Sequence, residues 1–159
     1  MIVTSLAISL MLFVPVQADT KKYILSWTTK LPYTAVPEYC ADHDAVPVII
    51  ESAEENEIIR KLAFSKPRAK LRDIDQFWIG LTDQKQEGVF VWSASQLTLL
   101  EHDYTNWGKT TLGSQPNNVM KNGEDEDCVV LRNDVKKANG PWYDIGCTKR
   151  LAFPICELP

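Results

Sequence analysis

The chain opens on an apolar run and then changes character several times. Met1 to Ala18 contains no charged side chain, Leu6 to Val16 is nearly all apolar, and Val16-Gln17-Ala18 follows. A segment of this kind has the length of a secretory apolar region and is too short to span a bilayer. The pattern therefore predicts a signal peptide over residues 1–18, a mature chain from Asp19, and export. Lys22-Tyr23-Ile24-Leu25-Ser26-Trp27 has the composition of a first strand. Thr34 is placed to cap a helix running to about Asp44, with Pro37 early enough to be tolerated and Cys40 carried on it. Ser52 followed by Glu55 reads as a capping box, and Ile58, Ile59, Leu62 and Ala63 give a second helix over about 53–64 its apolar face.

From Phe77 onward the pattern becomes short β-type runs: Phe77–Leu81, Val89–Trp92, Cys128–Leu131 and Ala152–Leu158. Before them, residues 65–75 carry Pro67 with Lys66, Arg68, Lys70 and Arg72 and read as an exposed basic connection. Between Leu99 and Asp127 lies a stretch rich in Asn, Gly, Asp and Glu. A compact domain seldom leaves so long a segment without regular structure unless it is functional. One early strand, two helices and then many short strands make an α+β order.

Composition narrows the function. At 159 residues the chain has room for one domain, residues 19–159 after the leader. Seventeen Lys and Arg against 21 Asp and Glu leave a net charge of -4, which argues against a nucleic-acid partner. No later stretch is apolar enough for a membrane span. Cys40, Cys128, Cys147 and Cys156 are an even set in an exported chain, so two disulfides are expected; three pairings are open, and no spacing matches a zinc site. His43 and His102 lack a nucleophile context and read as surface residues. Trp78, Trp92 and Trp107 read as packing residues. In and beside the long loop, Gln115, Asn117, Glu124, Asp125, Glu126, Asp127 and Asp144 supply hard oxygen donors, the ligand type of calcium. Neighbouring acids in one loop give no hint of the fixed separation across a cleft that a glycosidase needs, and no enzyme is expected.

Trp78-Ile79-Gly80-Leu81, Trp92, Tyr104-Thr105-Asn106-Trp107, Gln115-Pro116-Asn117-Asn118, Glu126-Asp127-Cys128-Val129 and Trp142-Tyr143-Asp144, in this order over most of the mature chain, resemble a C-type lectin domain of the short form. The chain is also similar to secreted single-domain insect lectins. The resemblance implies two helices packed on short antiparallel sheets, a long loop region, and disulfides Cys40–Cys156 and Cys128–Cys147. It implies a cis peptide before Pro116 and a sugar- and calcium-binding set of Gln115, Asn117, Glu126 and Asp144. An auxiliary calcium position maps onto Asp83, Glu87, Asn118, Glu126 and Asp127. The function implied is secreted, calcium-dependent recognition of glycans on microbial or cell surfaces. The alternative is a lectin-like protein that has left sugars behind and recognises a protein or other surface.

Two departures from the family pattern bear on this choice. Tyr143 stands where most sugar-binding members have Asn, so a calcium ligand is exchanged for an aromatic group that could contact sugar instead. Gln115 and Asn117 are both amides, whereas mannose-type members carry Glu-Pro-Asn and galactose-type members Gln-Pro-Asp. The set then holds two formal negative charges, Glu126 and Asp144, where the usual pattern holds three. This lowers the expected calcium affinity and leaves the sugar class open.

Overall fold

The computed structural model describes residues 21–65, 75–110, 113–120, 123–133 and 141–159. The leader expected over 1–18 and the basic positions from Lys66 to Arg72 lie outside these. Among the described residues the strands are β1 (Tyr23–Leu25), β2 (Val46–Pro47), β3 (Gln76–Thr82), β4 (Val91–Trp92), β5 (Lys109–Thr110), β6 (Gly113–Ser114), β7 (Cys128–Arg132), β8 (Trp142–Ile145) and β9 (Phe153–Glu157). The main sheet runs β1-β9-β3-β7-β8, with β2 joined to β9 and β4 to β3, while β5 and β6 form a separate hairpin. Its ladders are antiparallel apart from β3 and β9, which pair in parallel through Phe77 and Phe153.

Strand alternation divides the interior in two. On one face Phe77, Ile79 and Leu81 of β3 meet Val129 and Leu131 of β7, Trp142 of β8 and Ile155 of β9. On the other, Trp78, Cys128, Val130, Tyr143 and Ile145 pack with Tyr33, Val36 and Cys40. Successive side chains point to opposite faces of a strand, so β3 and β7 are buried on both sides and read as nearly unbroken apolar runs. Trp78 and Trp92 are buried and Trp107 packs against the first cluster, so all three are packing residues as expected. Both histidines are exposed, His43 lying against the Tyr39 ring.

The first helix differs from its expectation. A 3-10 turn, Tyr33–Ala35, leads into α1 (Val36–Ala41), and no side chain caps either one. Thr34 sits inside the 3-10 turn. Pro37 falls in the first turn of α1, where it forfeits no intrahelical hydrogen bond. The second helix, α2 (Ala53–Ala63), begins as expected, with Ser52 Oγ accepting from Glu55 N at 3.1 Å. The reciprocal bond is displaced by one residue, because Glu55 Oε2 accepts from Glu51 N at 2.7 Å. Its buried stripe is Asn56, Ile59 and Ala63, whereas Ile58 and Leu62 are exposed. Asn56 is drawn inward by Trp142, whose indole Nε1 donates to Asn56 Oδ1 at 2.8 Å.

Two disulfides close the domain with the pairing the resemblance implied. Cys40–Cys156 ties α1 to β9 and Cys128–Cys147 ties the start of β7 to the turn after β8. Each such bridge is worth typically ~2–4 kcal/mol in the unfolded-chain account. No helix among the described residues is long and apolar enough to cross a membrane.

Candidate functional site

The long loop lies along β8, and backbone bonds fix it there. Trp142 N donates to Asn106 O at 2.8 Å, Gly108 N to Trp142 O at 2.9 Å, and Gln115 N to Gly108 O at 2.9 Å. Aromatic edges reinforce the seam: Tyr104, Trp107 and Trp92 all stand edge-on to Trp142, with ring centroids 5.7, 5.8 and 6.0 Å away. Such pairs add to the area they bury because a positive ring edge meets a negative face. The β8 strand carrying Trp142 and Asp144 was not expected as a strand, and it is the platform of the site.

Beyond Gln115 the chain turns at a cis Gln115–Pro116 peptide, as the resemblance implied. The next two backbone amides converge on one carboxylate. Asn117 N and Asn118 N both donate to Asp144 Oδ2, at 2.8 and 2.7 Å. Asp144 N in turn donates to Gln115 Oε1 at 3.3 Å. Asn118 adopts φ 41°, in the left-handed region that Asn enters more readily than most residues. Its side-chain oxygen accepts from Glu126 N at 2.8 Å, while Glu126 Oε2 accepts from Val119 N at 3.2 Å. Gln115, Asn117, Glu126 and Asp144 are thereby drawn into one connected network. Glu126 and Asp144 are almost fully buried, at 3% and 2% exposed.

Among the described residues, two oxygens of this network have no donor. Asn117 Oδ1 and Asp144 Oδ1 are buried without a hydrogen-bond partner. Leaving such an atom unpaired costs about 1–3 kcal/mol, a cost that persists in native proteins where the atom has another use. Both are hard oxygens, the donor type calcium takes, so the residues present fit a divalent cation chemically. Among the described residues, however, no three His, Cys, Asp or Glu side chains come together as a metal cluster. Gln115 and Asn117 are both amides where the usual family pattern has one acid and one amide, and the set is correspondingly poorer by one charge.

The auxiliary set is also gathered. Asn118 Nδ2 donates to Glu87 Oε2 at 2.6 Å, Asp83 N donates to Asp127 O at 3.1 Å, and Asp83 Oδ2 accepts from Gly88 N at 2.9 Å. Asp83 Oδ1 is buried and unpaired. Burial, helped by the negative charges of Glu87 and Asp127, pushes the Asp83 carboxyl up to about 6. Burial, with Asp125, Glu124 and Asp144 adding to it, raises Asp127 as well. In metal-free protein Asp83 therefore adds stability that is fully present below its unfolded value of 3.8 and is lost as pH rises through about 6. Asp83→Asn keeps an acceptor for Gly88 and removes the buried charge. With chelator present it is expected to gain about 1–3 kcal/mol at neutral pH and nothing near pH 4, as read from urea unfolding at both pH values. Equal effects at the two would contradict this account.

Glu124 serves elsewhere. Its carboxylate accepts from Thr148 Oγ1 at 2.7 Å and Lys149 N at 3.1 Å, closing the turn after Cys147. Burial opposes its ionisation, but these bonds outweigh it and hold the carboxyl below the usual range. Tyr143 is 4% exposed, its ring pressed on Gly108 and 5.0 Å from the Arg132 guanidinium. Packing thus occupies the Tyr143 ring, the residue whose aromatic group the sequence offered as a sugar contact. Sequence reading also missed Gly108. A Cβ there would lie 2.5 Å from Tyr143 Cζ, so only glycine admits this close approach.

Comparison with known proteins gives one consistent result. A family model described as Lectin C-type domain matches residues 29–158. Salivary C-type lectin 2 of Aedes albopictus is 34% identical over 126 residues, covering 79% of this chain and 76% of the relative. The carbohydrate-recognition domain of mouse Scavenger Receptor C-type Lectin superposes with a TM-score of 0.64 at 31% identity, over 86% of this chain and 88% of that one. The C-type carbohydrate-recognition domain of cow CD23, solved in the presence of a GlcNAc2Man3 oligosaccharide, gives a TM-score of 0.64 at 25% identity and covers 86% of each chain.

Proposed function

Because the chain belongs to the C-type lectin domain family, we propose that it is an exported carbohydrate-binding lectin that uses calcium to recognise glycans on microbial or other cell surfaces. The observation that carries the reading is the pair of buried, unpartnered oxygens, Asn117 Oδ1 and Asp144 Oδ1, in a network with Gln115 and Glu126. These four residues would hold the ion. Bound calcium supplies positive charge that can accept sugar hydroxyls as ligands. The protein's own contribution is to fix the oxygens beforehand: Asp144 holds the Asn117–Asn118 turn, and Gln115 is braced on β8. With Asp83, Glu87, Asn118, Glu126 and Asp127 we propose an auxiliary calcium position, supported by the raised Asp83 carboxyl, whose buried charge a cation would offset. Residues 1–18 act as the leader, and the mature chain begins at Asp19.

Binding to arrays of mannose-, galactose- and N-acetylhexosamine-type glycans, with calcium and with chelator, tests the function. The expected result is retention that chelator abolishes. A companion test is thermal unfolding against calcium and magnesium. Binding adds RT ln(1 + [L]/Kd), so at about 1 mM calcium a millimolar site contributes well under ~1 kcal/mol and a micromolar site about 4. The reduced charge places this protein toward the weak end, with calcium favoured over magnesium because flexible oxygen ligands suit the larger ion. No stabilisation at tens of millimolar calcium would overturn calcium dependence. One observation favours the second reading, a lectin-like protein directed at a protein surface: the Tyr143 ring is buried where most sugar-binding members place a ligating Asn. Glycan retention that chelator leaves unchanged, or no retention at all, would support it.

A further inference from the structure

The turn between β3 and β4 is built by its own hydrogen bonds. Asp83 Oδ2 accepts from Gly88 N at 2.9 Å and Asp83 O from Gln86 N at 3.0 Å, while Gly88 adopts φ 76°, which glycine enters without steric cost. Thr82 Oγ1 and Asp83 N both donate to Asp127 O, at 2.8 and 3.1 Å, and so tie this turn to the end of the long loop. Glu87, although exposed, is thus presented from a hydrogen-bonded support.

Asn118 closes the opposite side. Its backbone N–H and both polar atoms of its side chain have separate partners: N donates to Asp144 Oδ2 at 2.7 Å, Oδ1 accepts from Glu126 N at 2.8 Å, and Nδ2 donates to Glu87 Oε2 at 2.6 Å. One residue therefore joins Asp144 of the primary set, the shared Glu126 and Glu87 of the auxiliary set, all through bonds between protein groups. Its neighbours fix the orientation of the amide, since a backbone N–H requires the oxygen and a carboxylate requires the nitrogen. An amide nitrogen against an ionised Glu87 makes a charge-assisted bond. A carboxylate at 118 would instead set two anionic acceptors against each other.

We infer that Asn118 is a positioning residue that braces the candidate site by protein bonds alone: its side-chain amide holds the Glu126 backbone and Glu87 together and keeps the Asn117–Asn118 turn on Asp144. The same brace regulates calcium at the auxiliary position. An ion there has to compete with Asn118 Nδ2 for Glu87 before it gains that carboxylate as a ligand. This second step rests on the calcium reading proposed above; the brace itself does not.

Amide hydrogen exchange in chelator reads the brace directly, with Asn118 N and Glu126 N expected to be protected before calcium is added. Glu87→Ala should speed exchange at both about three- to tenfold, as loss of a charge-assisted bond on an exposed surface would, and leave the β3 amides unchanged. Glu87→Gln retains an oxygen for Asn118 Nδ2 and should behave as the parent does. Asn118→Asp, which tolerates the same backbone conformation, should exchange fast in chelator and recover protection with calcium. By calorimetric titration it should bind calcium about tenfold more tightly than the parent. Protection that appears only with calcium, or exchange that Glu87→Ala leaves unchanged, would overturn the brace. Calcium bound no more tightly by Asn118→Asp than by a calcium-binding parent would overturn the competition. Protection in chelator that Glu87→Ala weakens, with calcium bound by neither chain, would uphold the brace and sink the calcium reading instead.

Discussion

Asp144→Ala is expected to abolish calcium-dependent glycan retention and to destabilise the protein even when chelator is present. The carboxylate is 2% exposed and accepts from two successive backbone amides, Asn117 N and Asn118 N. Alanine leaves both donors without their acceptor, and at about 1–3 kcal/mol for each buried donor the loss should be about 2–4 kcal/mol, allowing for the partial exposure of the turn. Asp144→Asn retains one side-chain oxygen and should lose less stability while still losing a charged ligand. Urea unfolding in chelator reads the structural part, and calcium titration of the folded variants reads the rest. A variant as stable as the parent in chelator would disprove the anchoring role. One that still bound calcium as tightly would remove Asp144 from the ligand set.

The separation of anchoring from ligation explains why parts of this protein were legible in sequence and others were not. The N-terminal boundary of α2 was set by local pattern, with Ser52 as its cap, but its buried face was not. Ile58 and Ile59 both lie on the apolar side of the sequence pattern, and the Trp142 indole, 86 residues away, bonds Asn56 on the buried face while Ile58 is left to solvent. Strand β8 escaped because Trp142-Tyr143-Asp144-Ile145 is buried at every position, including an aspartate, and so shows no alternation of apolar and polar residues. At the first helix, Thr34 has the chemistry of a cap, yet the chain enters through a 3-10 turn that places it inside. The candidate site was readable as a list of oxygen donors, since amides and acids around a proline are visible in one dimension. Which of those oxygens are already engaged was not. Glu124 is consumed by the Thr148–Lys149 turn, one Asp144 oxygen by two amides, and the remaining one is left unpartnered.

Tyr143→Asn and Tyr143→Ala together decide what position 143 contributes. The ring packs in the second core cluster, opposite Val130 in the strand pairing, with Gly108 against one side and the Arg132 guanidinium 5.0 Å from its centre. Removing a buried aromatic of this size costs about 3–5 kcal/mol for alanine, and asparagine should cost a similar amount because its amide enters an apolar setting. Both variants should therefore melt below the parent in chelator. Their calcium responses should diverge. Asparagine adds an amide oxygen next to Asp144, where most sugar-binding members carry one, and is expected to bind calcium about tenfold more tightly than the alanine variant. The comparison is made at a temperature where both are folded, by calorimetric titration, so stability does not enter the readout. Equal calcium affinity in the two variants would mean that position 143 does not reach the ion in this chain, and would shift the balance to the lectin-like protein directed at a protein surface. An unchanged melting temperature in either would instead show that the Tyr143 ring does not support the loop through Gly108.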